Sequence, residues 1–178
     1  MPASQNQNFR FQPLDKAKHN RAAFCCEHDI LNIYLREQAS QDVRKRVAAV
    51  YVLTSDGRRI AGYYTLSQYA IDAGDLPEEL AGQMRLPRYD KVPATLLGRL
   101  ARDKEFKGAR LGEILLMSAL QKALEHSRHI ASFAVVVDAK DEKAKTFYQN
   151  YGFIELPGHP QRLFLPMKTI ELIFKNEQ

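Results

Sequence analysis

The sequence has no tryptophan, two cysteines and no long apolar run, and each shortage closes off a class of protein. Cys25 and Cys26 are neighbours. Adjacent cysteines do not readily bridge one another, so neither a disulfide framework nor a four-ligand zinc site can be built from them. No histidine and acid can be placed beside Cys26, which therefore reads as a buried small hydrophobe and not as a nucleophile. No stretch approaches the roughly 18 apolar residues of a membrane helix, and the opening MPASQNQN lacks the basic and apolar regions of a secretory signal. A cytoplasmic protein with no membrane partner is expected. Metal-ligand spacing is also missing, so no metal is expected, and His126 and His129 flank a predicted helix end as surface residues.

What is present describes a folded chain. Its 178 residues, 45% hydrophobic and 26% charged, lie far from the polar, highly charged compositions that stay unfolded. The length favours one core, giving a disordered polar tail over residues 1–8 and a single domain over 9–178. The net charge of +5 favours a polyanionic partner: nucleic acid, a coenzyme phosphate or an acidic protein segment.

FRFQPL is a short strand candidate. Glu27 to Arg46 is predicted helical, because Leu31, Tyr34, Leu35 and Gln38 recur at near-helical spacing and Asp29 suits the positive end. Its basic close, Arg44, Lys45 and Arg46, reads either as a solvated helix terminus or as an RNA contact. AAVYVLT and IAGYYTLSQYAI are two strands joined through an Asp56-Gly57 turn. Gly74 to Pro93 is expected to hold a short helix and an exposed basic loop with Arg85, Arg88 and Lys91.

TLLGRLARD is a further strand, followed by a charged, glycine-containing stretch and a helix from Leu111 to about His126. Leu116, Leu120, Ala123 and Leu124 form its apolar face, which Ile114, Leu115 and Met117 widen. ASFAVVVD reads as a central strand covered on both faces. In the next helix Asp141 caps the start, Ala144, Phe147, Tyr148 and Tyr151 share a face, and Gly152 is placed for a left-handed terminus. FIEL and LFLPMKTI are closing strands, with Pro166 suggesting an edge position.

The segment Arg99-Leu-Ala-Arg-Asp-Lys-Glu-Phe-Lys107-Gly108-Ala109-Arg110-Leu111-Gly112 resembles the acetyl-CoA motif of GNAT acetyltransferases, a strand R-L-A-V-D running into Q/R-x-x-G-x-G/A and a helix. Lys107 stands where that family has Gln or Arg, Arg110 where it has Gly, and Gly112 fills the last small position. Backbone N–H groups of such a loop and the positive helix end face one anion, and small residues let a pyrophosphate approach the main chain. The bland alternative is a basic loop capping a core helix. A second element, Ala144-Lys-Thr-Phe147-Tyr148-Gln-Asn-Tyr151-Gly152-Phe153, resembles the A-x-x-F-Y-x-x-x-G-F signature of the same family. Taken alone, Tyr148 would read as a core residue.

His19-Asn20-Arg21-x-x-Phe24-x-Cys26-x-x-x-x-Leu31-Asn32-x-Tyr34-Leu35, followed by Gly62-Tyr63-Tyr64-Thr65-Leu66-Ser67, resembles the opening of the GNAT toxins of bacterial toxin–antitoxin pairs, the TacT and AtaT group. The resemblance implies an α/β (α+β) GNAT fold with a mixed central sheet flanked by helices. It implies acetyl-CoA as co-substrate, aminoacyl-tRNA as acceptor, a ribbon-helix-helix antitoxin as partner, and a homodimer. It assigns Tyr148 as catalytic acid, the backbone of Leu100, Ala101 and Arg102 to the acetyl-pantetheine arm, and Lys107, Gly108, Ala109, Arg110, Leu111 and Gly112 to the pyrophosphate. Charge alone nominates Arg44, Lys45, Arg46, Arg85, Arg88 and Lys91 for tRNA. Two other readings stay open: a GNAT acetylating a small amine or a protein amine, and a non-catalytic GNAT-like module, the latter motivated by Arg110.

Overall fold

Ala134, Val135, Val136 and Val137 are all fully buried, an unbroken apolar run that a strand tolerates only where neighbours cover both of its faces. They form β5 (Ala134–Asp138), which pairs in parallel with β4 (Lys91–Arg102) and antiparallel with β7 (His159–Pro166). Parallel strands need a long crossover, and α4 (Leu111–Ser127) supplies it. This computed structural model describes residues 8–83, 90–108 and 110–177. Of the expected polar tail, residues 1–7 lie outside the described residues, as do Arg85, Arg88 and Ala109.

The strands form one mixed sheet in the order β1-β2-β3-β4-β5-β7-β6, with β1 at Arg10–Pro13, β2 at Ala49–Thr54, β3 at Gly62–Asp72 and β6 at Ile154–Leu156. With helices flanking it, this is the expected α/β architecture. The chain divides into two compact units, one made of residues through Thr65 with Arg99–Met117, the other of Leu66–Gly98 with the residues from Ser118 onward. β3, β4 and α4 contribute to both.

The first unit is built around Leu31, Tyr34, Leu35, Ala39, Val50, Val52, Ile60 and Tyr63. The predicted amphipathic helix is α1 (Asp29–Ile33), a π-helical turn (Tyr34–Gln38) and α2 (Ala39–Arg44). That wider turn carries the buried face onto Ala39, while Gln38 is exposed and donates to Asp42. The Asp56-Gly57 connection is a seven-residue loop, residues 55–61, in which Asp56 Oδ1 accepts the N–H groups of Arg58 and Arg59 while Gly57 takes φ +80°.

The second unit packs Ile71, Leu76, Val92, Ala94, Val136, Leu156 and Phe164 together. α3 (Glu78–Gln83) is the expected short helix, but Lys91 opens β4 instead of belonging to the basic loop before it. Ile114, expected on the buried face of α4, is exposed. α5 (Glu142–Asn150) begins as predicted, with Asp141 accepting the Ala144 N–H at 2.8 Å, and ends at Gly152 with φ +92°.

The closing segment differs from expectation. β7 stops at Pro166, and Met167–Lys175 is a helix, α6, with Met167 and Ile170 buried. Pro166 does not mark an edge either, because β7 lies between β5 and β6. As the last strand residue and the residue entering a helix, the proline needs no ladder donor. No helix among the described residues is long and apolar enough to cross a membrane.

Replacing Asp141 by alanine removes the acceptor at the start of α5. The expected cost is about 1 kcal/mol, read as a lower urea midpoint at unchanged m-value; an unchanged midpoint would show that the cap contributes nothing.

Candidate active site

The end of β4 carries Arg99, Leu100, Ala101 and Arg102, past the parallel ladder that joins Thr95, Leu96 and Leu97 to β5. Ala101 is buried. Its carbonyl oxygen would lie 3.1 Å from a Cβ on Gly62, and the Leu115 side chain, at Cδ1, only 2.7 Å from it, so glycine in β3 lets the β4 backbone and the Leu115 side chain of α4 both pack here. The Arg99 guanidinium stacks on Tyr34, 3.5 Å from the ring centre.

Asp103 then turns the chain. It is 1% exposed, and its carboxylate accepts the N–H of Cys25 and the N–H of Glu105, both at 2.9 Å. Arg59 Nη2 stands 3.5 Å from it and 2.8 Å from Glu105. The backbone is stitched across the same place, with Asp103 N–H donating to Ala61 O and Lys104 N–H to Cys25 O, each at 2.9 Å. A short 3₁₀ turn, Lys104–Phe106, follows. The motif resemblance gives Asp103 no role; its place between a strand end and the sequence Lys-Glu is the readable sign of a side-chain-capped turn.

The loop bearing Lys107 next takes Gly108 to φ +89° and Arg110 to φ +53°, and α4 starts at Leu111. Arg110 thus adopts the left-handed geometry that a glycine would supply. Its side chain has no acceptor, so it cannot cap the N–H groups at the start of α4, which together with the helix dipole suit an anion. The loop cations are exposed and held by single acids: Lys107 meets Glu27 at 3.1 Å and Arg110 meets Glu113 at 3.5 Å. Small residues, a helix start of 17 residues and nearby cations fit a pyrophosphate.

Tyr148, on α5 in the second unit, is 8% exposed and packs on Phe153 with ring centres 5.4 Å apart. Burial pushes its phenol up to about 12, so the hydroxyl is protonated at neutral pH. Its carbonyl receives the N–H groups of Tyr151 and Phe153, which fixes the end of the helix that carries it.

Of the nominated cations, Arg44, Lys45 and Arg46 are all exposed at the close of α2, with Arg46 at φ +58°. Lys91 pairs with Asp72, which offsets its charge. The opening landmarks are braces. His19 is buried, taking the Asp15 N–H on Nδ1 and meeting Gln12 Oε1 through Nε2, each at 2.9 Å; Arg21 donates to Arg36 O and Ser40 Oγ. Asn32 brackets Cys26, accepting its N–H and donating to its carbonyl. Cys26 is buried and His126 and His129 are exposed, as expected.

The profile of the Acetyltransferase (GNAT) domain family matches residues 28–169. A probable toxin TacT of Sinorhizobium fredii is 30% identical over 167 residues, 89% of this chain and 91% of that protein. A tRNA-acetylating toxin of Mycobacterium tuberculosis is 33% identical over 138 residues, 78% and 80% of the two. Among solved structures, AtaT complexed with acetyl-methionyl-tRNAfMet is 31% identical at a TM-score of 0.86, covering 94% of this chain and 99% of that one. A tyrosine-to-phenylalanine mutant of AtaT bound to the C-terminus of the antitoxin AtaR and acetyl-CoA is 28% identical at 0.79, covering 93% and 98%. The chain belongs to the GNAT acetyltransferases.

Two substitutions test the loop. Arg110→Gly should raise stability by about 0.5–1 kcal/mol in urea unfolding, since glycine holds a left-handed angle without the steric cost; a loss of stability would show that Arg110 is not strained. Asp103→Ala should lower stability by about 3 kcal/mol, because two N–H groups lose their acceptor, and a variant as stable as the native chain would remove Asp103 as the anchor.

Proposed function

We propose that this enzyme transfers the acetyl group of acetyl-CoA to the α-amine of an aminoacyl-tRNA, blocks translation by doing so, and is neutralised by a ribbon-helix-helix antitoxin. The observation that carries the chemistry is the loop after β4, where Gly108 and Arg110 both hold left-handed angles directly ahead of α4. The acceptor rests on the likeness to AtaT, whose complex contains acetyl-methionyl-tRNAfMet, and to a tRNA-acetylating toxin. The antitoxin rests on the AtaR-bound structure. On this reading residues 9–178 act as one catalytic domain, in the cytoplasm and as a homodimer, with the exposed Arg44, Lys45 and Arg46 as tRNA contacts, Arg85 and Arg88 nominated by charge alone, and Lys91 already matched by Asp72.

In the mechanism we assign, Lys107, Gly108, Ala109, Arg110, Leu111 and Gly112 hold the pyrophosphate, and the strand backbone at Leu100, Ala101 and Arg102 holds the acetyl-pantetheine arm and polarises the carbonyl. The neutral amine attacks the thioester carbon; the C–N bond forms, the C–S bond breaks, and the proton lost by the amine balances the thiol released. Tyr148 donates its hydroxyl to the departing sulfur. A phenol near 12 is a weaker acid than a thiol of about 8.5, so its contribution is a hydrogen bond that strengthens as negative charge collects on sulfur. No dedicated base is required, because an α-amine titrates at about 8, roughly two units below lysine. The left-handed angle at Arg110, the one a glycine would supply there, supports the catalytic reading over a non-catalytic one.

Transfer of labelled acetyl to bulk charged tRNA should proceed with the native chain and fall about 100- to 10,000-fold in kcat with Tyr148→Phe. The native rate should rise with pH through about 8 as the amine loses its proton, and burial, which raises the Tyr148 phenol, keeps that donor protonated over this range. Label appearing on small amines or protein and never on charged tRNA would replace the acceptor; a Tyr148→Phe enzyme of native rate would remove Tyr148 as the hydrogen-bond donor to sulfur.

A further inference from the structure

Two adjoining hollows lie on the first unit and share Lys18 and His19 in their walls. The larger, about 710 Å³, is rimmed by Lys16, Lys18 and Arg44; the smaller, about 400 Å³, by Lys18, Arg58 and Arg59. Arg59 is taken up by Asp103 and Glu105, which leaves four cations, Lys16, Lys18, Arg44 and Arg58, beside two acids, Asp15 and Asp56, in the walls of the two hollows. The acids are already engaged. Asp56 accepts two backbone N–H groups, which hold its carboxyl below the usual range, and Asp15 accepts the Ala17 N–H while its other oxygen lies 3.7 Å from Lys18. Lys16, Arg44 and Arg58 are exposed and make no ion pair among the described residues.

The segment that presents Lys16 and Lys18 is held still. Leu14 N–H donates to Val50 O, Lys18 and His19 N–H to Asp15 O, and Asn20 N–H to Arg58 O. The buried His19 ring ties Asp15 to Gln12 from beneath. Desolvation lowers the His19 pKa, and its Nδ1 is already an acceptor. The ring is thus a neutral brace, while the charges lie on the flanking lysines. Lys16, Arg44 and Arg58, left without an ion pair among the described residues, together with Lys18, whose only acid is an exposed contact at 3.7 Å, suit a polyanion whose charges are regularly spaced.

We propose that this double hollow is a phosphate track for tRNA, with Lys16, Lys18 and Arg58 as contacts beyond the helix-end cations. The proposal rests on the tRNA reading above and extends it to a surface built by the segment between β1 and α1 and by the β2–β3 loop. Phosphate contacts supply affinity without sequence preference, so the track serves binding and not the choice of amino acid.

The test is fluorescence anisotropy of labelled bulk tRNA, charged and deacylated, across salt concentrations, comparing the native chain with K16Q/K18Q/R58Q and with the conservative K18R. The triple variant should bind both forms at least about 10-fold more weakly, and its plot of log affinity against log salt should flatten by about 2–3. K18R should bind like the native chain, and acetyl-CoA affinity should be unchanged in both variants. Equal tRNA affinity and slope in the triple variant would overturn the track. So would a selective loss of binding to poly-glutamate with tRNA binding intact, which would give the surface to an acidic protein segment. A native chain that neither binds nor acetylates charged tRNA would instead sink the tRNA reading itself, a result distinct from native acetylation that the triple variant retains in full.

Discussion

The carboxylate of Asp103 closes a joint between three parts of the chain. It receives the N–H of Cys25 from the N-terminal segment and that of Glu105 from the turn beyond β4, and it faces Arg59 from the β2–β3 loop. A buried carboxylate is tolerable only when its lone pairs are filled, so the chain segments that fill them are fixed with it. Everything downstream inherits that position: the 3₁₀ turn, the left-handed residues of the loop and the start of α4. Gly62 completes the joint by letting β3 come close to Ala101 and Leu115.

The loop beyond this joint separates conformation from charge. Gly108 and Arg110 give it two left-handed angles, which turn the backbone toward the start of α4. Lys107 and Arg110 supply cations, each matched to one nearby acid, Glu27 and Glu113. Exposed pairs of this kind contribute little to stability, so both cations can exchange their partners at small cost. Arg110 shows how a position that suits glycine can carry charge instead, provided the neighbouring structure holds the angle.

Much of this was legible in local pattern. The β5 run, the Asp141 cap and the Gly152 terminus are each determined by residues within one helix or strand, and they stand where the sequence put them. Less legible was the closing segment, where an apolar strand pattern ran on past Pro166 into what is a helix. Apolar residues at 163–170 satisfy both periods, and the helix gains its preference from burial of Met167 and Ile170. The π turn at Tyr34–Gln38 was equally hidden, because one residue of extra winding leaves no trace in composition.

The sequence by itself determined the family, the two motifs, the central strand and the capped helix that bears Tyr148, since spacing along one chain carries all of these. Only the tertiary structure decided that Arg110 takes a glycine's angle and that Asp103 anchors the turn. It also decided that His19, Arg21 and Asn32 are braces and that Lys91 is matched by Asp72. Each of those depends on a partner distant in sequence or on a backbone angle imposed from outside. The charge of a residue is written in the chain, but whether it is spent on a neighbour or left for a ligand is set by what folding brings beside it.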